Sequence, residues 1–254
     1  MKAVLASLLL FGAVATAADP YPPLQFHQKI GNRLPLDLPF RDHTGRSVVL
    51  QEYFRDAARP VLLVPGYVRC EMLCAALSDG LLRAIQPLKA SAGREFQVLY
   101  VSIDPEESDE AALKKKRTWV KRYGRLGCDN GVAYLRGTPE HVAQLMREIG
   151  FEYRYDPVID EYDHPAGFVV VSGEGVITHY QLGVAFSAGD VEAALEQSGK
   201  GSAGSLLERF LLICSRNQPV RSPYRDVVML LLRAMSFGVV IGLVLAVKAR
   251  RKTR

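Results

Sequence analysis

Two cysteines separated by three residues are the part of this sequence best suited to chemistry. Cys70 and Cys74 lie in the stretch VLLVPGYVRCEMLC, directly after an apolar run. Residues four apart on a helix lie one turn apart on the same face, so the spacing predicts two neighbouring thiols at a helix start. The positive end of the helix dipole favours thiolate over thiol there. Thiolate is a nucleophile and a soft-metal ligand, so the pair predicts disulfide exchange or metal binding.

The apolar run before the cysteines predicts the strand that positions them. Residues 61–64 are short, partly β-branched and bounded by prolines, a pattern typical of a buried strand that ends at Pro65. The helix that follows should continue through Ile85. The rest of the pattern predicts a hairpin over 35–50, strands over 96–103 and 132–135, helices over 106–123 and 138–149, a hairpin over 168–182 and a last helix over 187–197. That order is typical of an α/β thioredoxin-like fold with an N-terminal β-hairpin.

The first 17 residues have the pattern of a secretory signal peptide. Met1-Lys2 supplies a basic start, an apolar run follows, and Ala15 and Ala17 form a small-x-small cleavage site. The mature chain is therefore expected to begin at Ala18, with an N-terminal extension over 18–32. An uncleaved N-terminal anchor is the alternative, although the run is short for a membrane span.

A second apolar segment, near the other end of the chain, predicts one C-terminal transmembrane helix. Residues 227–247 are broken only by Arg233, and their number is close to the ~20 residues needed to cross a bilayer. Residues 199–226 would then form a hinge and a juxtamembrane segment. The basic tail over 248–254 indicates the cytoplasmic side. The domain over 33–198 is thus predicted to be exported and anchored in the cytoplasmic (inner) membrane, on its outer side.

The distribution of charge argues against a nucleic-acid partner. The formal net charge of the 254 residues is +5, and the tail KARRKTR alone holds five basic residues. Subtracting the tail (5 − 5) leaves no net charge on the remainder. A neutral domain with a basic tail does not have the basic surface that nucleic-acid binding requires.

Three motifs in order give the chain a resemblance to a known family. They are Gly66-Tyr67 ahead of the two cysteines, the stretch SIDPEES over 102–108, and Tyr162-Asp163-His164 ahead of a predicted strand. Over residues 33–198 the sequence resembles the Sco (SenC) family of membrane-anchored, thioredoxin-like copper proteins used in building cytochrome oxidase. The resemblance implies that Cys70, Cys74 and His164 are copper ligands.

The sequence departs from the family pattern near these motifs. Glu71 stands where the family usually has proline, and a carboxylate beside Cys70 is expected to disfavour its thiolate. The predicted anchor is C-terminal, whereas the family's usual anchor is N-terminal. Pro165-Ala166-Gly167 also makes a tighter connection after His164 than the common pattern.

Two function classes follow. A metallochaperone would hold Cu(I) or Cu(II) through Cys70, Cys74 and His164, since two thiolates and an imidazole suit copper, and would pass it to the copper-containing subunit of a cytochrome oxidase or to another copper or thiol protein. An extracytoplasmic thiol-disulfide oxidoreductase would need only the two cysteines as a redox pair. A peroxiredoxin-like peroxidase is disfavoured because the loop before Cys70 lacks the threonine of such sites.

The remaining histidines and cysteines are assigned no chemistry. The four other histidines are predicted to be structural or exposed: His27, His43, His141 and His179. An exported chain with four cysteines permits two disulfides. A Cys128–Cys214 bridge and two free thiols both remain open from sequence alone.

Overall fold

A mixed seven-stranded β-sheet organises the part of the chain that the computed structural model describes, residues 23–54, 56, 59–70 and 72–199. The strands in chain order are β1 (Pro39–Asp42), β2 (Ser47–Val49), β3 (Val61–Gly66), β4 (Gln97–Ser102), β5 (Val132–Arg136), β6 (Arg154–Asp156), β7 (Glu161–Asp163), β8 (Gly167–Val171) and β9 (Ile177–Leu182). The helices are α1 (Leu73–Ile85), α2 (Asp109–Tyr123), α3 (Pro139–Ile149) and α4 (Ala188–Gly199). Their order is consistent with the predicted thioredoxin-like fold.

The sheet has the order β2-β1-β5-β4-β3-β8-β9, while β6 and β7 pair only with each other. Strands β3, β4 and β5 are parallel, and β8 and β9 add antiparallel strands beyond β3. Gly66, Ser102 and Arg136 therefore lie at one edge, hereafter the cysteine edge. Helices α1, α2 and α4 each follow a strand that ends there and run back toward the opposite edge, whereas α3 ends at Ile149, whose carbonyl oxygen accepts from Tyr180 in the middle of β9.

The two faces of the sheet bury separate apolar clusters because side chains alternate along each strand. On β3, Leu62 and Val64 pack with α1, α2 and α4, while Val61 and Leu63 pack with α3 and the N-terminal segment. Both faces of the central strands are covered, which explains their almost continuous apolar sequence. The sheet is therefore a rigid platform for the loops at the cysteine edge.

Gly80 marks the closest approach of α1 to its surroundings. A Cβ atom built on Gly80 would lie 1.9 Å from the carbonyl oxygen of Val184, in the connection between β9 and α4. Any side chain at this buried position would push against backbone. Gly80 thus fixes how deeply the helix of Cys74 is seated.

Several predicted boundaries were wrong by a few residues. Strand β3 does not end at Pro65 but continues through Gly66, paired with β4. Strand β8 pairs with β3 only as far as Leu63, so at Pro65 the side of β3 that faces β8 is unpaired. Proline, which has no N–H to donate, is tolerated at such a position. Helix α2 begins at Asp109 rather than at residue 106, because Ser108 caps it by accepting a hydrogen bond from the Ala111 amide. The predicted cap of α3, Thr138, is confirmed.

The β6–β7 hairpin is an element that the sequence analysis missed. Its strands have three residues each and lie directly before His164. Among the described residues, no helix has the length and hydrophobicity needed to cross a membrane. The predicted signal peptide, the span over 227–247 and the basic tail lie outside the described residues.

Candidate metal centre

Cys70 precedes helix α1 and does not lie on it, so the prediction of two cysteines on one helix face was wrong for Cys70 and right for Cys74. The helix begins at Leu73, and Cys70 belongs to the loop that follows β3. The backbone N–H of Cys74 donates a hydrogen bond to Cys70 Sγ at 3.2 Å. This sulfur therefore satisfies one of the amides that a helix start leaves unpaired, and the helix dipole favours its thiolate form.

His164 approaches the cysteines from the loop between β7 and β8. Because β8 neighbours β3 in the sheet, this loop lies beside the cysteine loop. The imidazole is buried, and its Nε2 lies 3.5 Å from Cys74 Sγ. Its Nδ1 lies 2.9 Å from the carbonyl oxygen of Pro165. A carbonyl only accepts, so Nδ1 carries a proton, and Nε2 is the ring nitrogen that faces the sulfur.

Two aromatic rings hold the imidazole in place. Tyr67 packs edge-on against His164 with ring centroids 5.8 Å apart, and Phe151 lies 5.6 Å away on a second side. The Tyr67 hydroxyl also accepts a hydrogen bond from the Tyr162 amide at 3.3 Å. The segment that carries His164 is thus attached to the segment that carries Cys70.

The motif over 102–108 positions the cysteine loop. Arg69 donates to the buried carboxylate of Asp104 at 2.9 Å, and the Val68 amide donates to Glu107. The two residues before Cys70 are therefore anchored to the loop that follows β4. Sequence analysis found this motif only through the resemblance and gave no role to Arg69, Asp104 or Glu107.

Gly66 makes room for the second sulfur. A Cβ atom on Gly66 would lie 3.0 Å from Cys74 Sγ, closer than van der Waals contact allows. The glycine at the end of β3 therefore lets Cys74 lie directly against the edge of the sheet.

The two thiols differ in acidity. Hydrogen bonding from Cys74, and next the contact with His164, holds the pKa of the Cys70 thiol well below its usual value, although burial opposes this. The pKa of Cys74 is raised, first by the hydrogen bond to Cys70 and then by burial. The pair therefore shares one proton, with Cys70 as the thiolate. Glu71, which was expected to disfavour this thiolate, lies outside the described residues.

We expect alkylation to report this difference directly. Iodoacetamide should label Cys70 of the reduced, metal-free chain at a rate that stays constant from pH 8 to pH 6. In the unfolded chain the rate should fall about tenfold per pH unit below the ordinary thiol pKa of ~8.5. Peptide mass mapping identifies the labelled residue, and the buried thiol of Cys128 serves as the unreactive control. A Cys70 rate that fell with pH as in the unfolded chain would contradict the assignment.

The other histidines and Cys128 lie away from this site. His27 contacts Glu152, His43 contacts Lys116 and His179 contacts Gln197, each at 2.9 Å. Cys128 is a buried free thiol beside the start of β5, at the edge opposite the cysteine edge. Cys214 lies outside the described residues, so a bridge between these two cysteines remains a prediction.

The geometry suits a soft metal ion. One ligand atom each from Cys70, Cys74 and His164 lies within 4.8 Å of the others, and no second such cluster occurs in the described part of the chain. The two cysteine residues are partly exposed as a whole, while the three-residue cluster itself is buried. Two sulfurs and an imidazole nitrogen suit a thiophilic ion.

Comparison with known proteins supports the same interpretation. A family model described as SCO1/SenC matches residues 33–197. The chain is similar to an Aquifex aeolicus VF5 protein provisionally described as an electron transfer protein, with 24% identity, a TM-score of 0.58, and coverage of 69% of this chain and 98% of that chain. It is also similar to Arabidopsis thaliana ScoI with copper bound, with 17% identity, a TM-score of 0.52, and coverage of 67% of this chain and 98% of that chain. A third similar structure is BsSco, a member of the Sco family of cytochrome c oxidase assembly proteins, with 17% identity, a TM-score of 0.50, and coverage of 69% of this chain and 99% of that chain. The comparison with curated proteins gave no match.

Proposed function

This chain belongs to the SCO1/SenC family, and from that premise we propose that it is a copper-binding metallochaperone for the copper centre of a respiratory cytochrome oxidase. The observation that carries the proposal is the convergence of Cys70, Cys74 and His164 within 4.8 Å of one another. Copper is the cargo, and the recipient is the copper-containing subunit of the oxidase. The copper bound in the solved structure of Arabidopsis thaliana ScoI, which has the same fold, supports the choice of metal.

Each ligand has a distinct part in holding the cargo. The Cys70 thiolate and Cys74 supply soft sulfur, which favours Cu(I). The Nε2 lone pair of His164 adds the nitrogen that Cu(II) prefers. Because the cysteines are partly exposed while His164 is buried, a recipient reaches the sulfur side of the site first.

The direct test is the copper content of the reduced full-length chain after incubation with copper and desalting. About one ion per chain is expected. A chain that binds no copper, yet reduces a protein disulfide with Cys70 essential, would replace the metallochaperone with the oxidoreductase.

The second candidate function is thiol-disulfide exchange, favoured by the acidity of Cys70. Its thiolate would attack a partner disulfide and form a mixed disulfide, releasing one partner thiolate. Cys74 would then attack Cys70 Sγ, and its proton passes to the partner sulfur that leaves. That step leaves a Cys70–Cys74 disulfide and a fully reduced partner. His164 is not required for these steps.

We also infer that the domain lies outside the cytoplasm, on the basis of the two apolar ends of the sequence and the basic tail. Alkaline phosphatase fused after Gln197 is therefore expected to be active, because the enzyme folds only in an oxidising compartment. The same enzyme fused after Arg254 is expected to be inactive. An inactive fusion at Gln197, or an active one at Arg254, would contradict this topology.

A further inference from the structure

Exposed apolar side chains are concentrated beside the candidate metal centre. Met72, between the two cysteines in sequence, is 85% exposed, and Val158 and Ile159 at the tip of the β6–β7 hairpin are 89% and 62% exposed. With Tyr155 they make up four of the eight large apolar side chains that are exposed among the described residues. Single exposed apolar residues are ordinary, but a group of them at one place marks an interaction surface.

The hairpin tip is fixed next to the cysteine loop. The Asp160 carboxylate accepts a hydrogen bond from Arg69 at 3.0 Å and another from the Tyr155 hydroxyl at 2.7 Å. Asp160 has a φ of 54°, in the left-handed region that aspartate tolerates better than most residues. Because Arg69 directly precedes Cys70, these bonds hold the tip near the first sulfur while Val158 and Ile159 face solvent.

The base of the hairpin is fixed to the histidine side of the site. Tyr162 packs against Tyr67 with ring centroids 5.5 Å apart, and strand β7 ends one residue before His164. The hairpin is therefore attached to both segments that carry the candidate ligands. A protein that covers its tip would therefore lie against the loops that carry the candidate ligands.

The hairpin is also acidic. Residues 154–163 contain one basic residue and four acidic ones, a net charge of 1 − 4 = −3. Glu161 and Asp163 are exposed. The surface thus has an apolar centre with negative flanks, and it is complementary to an apolar patch rimmed by lysine and arginine.

We propose that Met72, Val158 and Ile159, together with the acidic residues of the hairpin, form the docking surface for the copper recipient, which presents an apolar patch with a basic rim. This inference rests on the proposed copper-transfer function. Burial of the apolar tip excludes water around the sulfurs during transfer, and the acidic flanks speed association and orient the partner.

The test is the rate of copper transfer from the Cu(I)-loaded full-length chain to the copper-free soluble domain of the oxidase subunit. Replacing both Val158 and Ile159 by asparagine should lower the second-order rate constant about tenfold, the effect of losing roughly 1.4 kcal/mol of contact. Leu126→Asn is the matched control, because Leu126 is 97% exposed at the opposite edge. The control rate should stay within about twofold of the parent.

Charge provides an independent measurement. The parent rate should fall as salt is added, since screening weakens attraction between exposed charges. Glu161→Lys should lower the rate at low salt, whereas Glu196→Lys, on α4 and exposed at the opposite edge, should not. A parent rate independent of salt, with no effect of Glu161→Lys, would overturn the acidic part of the surface.

A small Cu(I) chelator separates docking from metal binding. It should remove copper from the parent and from the double asparagine variant at equal rates, because neither change touches a ligand. If the parent and the double asparagine variant transferred copper to the oxidase domain at equal rates, the docking inference would be overturned and copper binding would stand. A parent that holds no copper would overturn both. If the parent dimerises through the tip and the double variant is monomeric, the occupant is a second copy and the proposed recipient is wrong.

Discussion

Replacing His164 by alanine is expected to abolish tight binding of Cu(II) while leaving Cu(I) bound. The imidazole is the one nitrogen ligand in the site, and its Nε2 faces Cys74 Sγ at 3.5 Å. Two thiolates alone can hold Cu(I), but Cu(II) prefers nitrogen in its coordination shell. The loss in Cu(II) affinity should exceed the ~10–100-fold that follows removal of an outer-shell partner of a metal ligand.

The measurement is copper stoichiometry together with the Cu(II)–thiolate charge-transfer absorbance of the reduced chain. His27→Ala is the matched control, since His27 is exposed and contacts Glu152 away from the cysteines. The same variant also separates the two function classes, because disulfide exchange should stay within a few-fold of the parent without His164. A His164→Ala chain that retained full Cu(II) absorbance would remove the imidazole from the site.

Replacing Gly80 by alanine is expected to destabilise the domain by about 2 kcal/mol or more. Helix propensity alone would favour alanine over glycine inside a helix by ~1 kcal/mol of stability. Here the added Cβ would meet the Val184 carbonyl oxygen at 1.9 Å, and overpacking of a core costs typically ~1–3 kcal/mol, more where backbone has to move. The midpoint of thermal unfolding should therefore fall by roughly 4–8 °C.

Gly189→Ala is the control for helix propensity alone. Gly189 lies in α4, and a Cβ there would meet only the Ser187 hydroxyl oxygen, at an ordinary 3.7 Å. This variant should be as stable as the parent or slightly more stable. If thermal unfolding of the copper-free chain gave the same midpoint for both variants, the backbone at Val184 would have moved without destabilising the domain. The packing argument would then be wrong.

The central elements were predictable because local patterns and tertiary packing agree for them. The buried strand over 61–64, the capped helix α3 and the hairpin of β8 and β9 each show clear periodicity or turn signals. His164 was found through the resemblance, since nothing in an isolated histidine indicates its neighbours. The sheet order then explains its position, because β8 pairs with β3.

Two features of the site depend on contacts that a sequence does not display. Cys70 was placed on the helix, but its sulfur accepts the Cys74 amide from outside it, which only the folded loop reveals. The β6–β7 hairpin was missed because its strands are short and polar. The sequence feature that indicates this hairpin is a tyrosine flanked by charged residues in each strand, Arg154-Tyr155-Asp156 and Glu161-Tyr162-Asp163. In the structure Tyr155 pairs with Tyr162 across the two strands.

The direction of α4 has a practical consequence for electrochemistry. Because α4 ends at Gly199, on the edge opposite the cysteine edge, a chain shortened to that residue and coupled to an electrode through its C-terminus presents the sulfur atoms to the solution. The electrode would then lie on the far side of the sheet from the redox centre. Voltammetry of such a film should show slow electron exchange with the electrode but unhindered access for soluble copper and thiols.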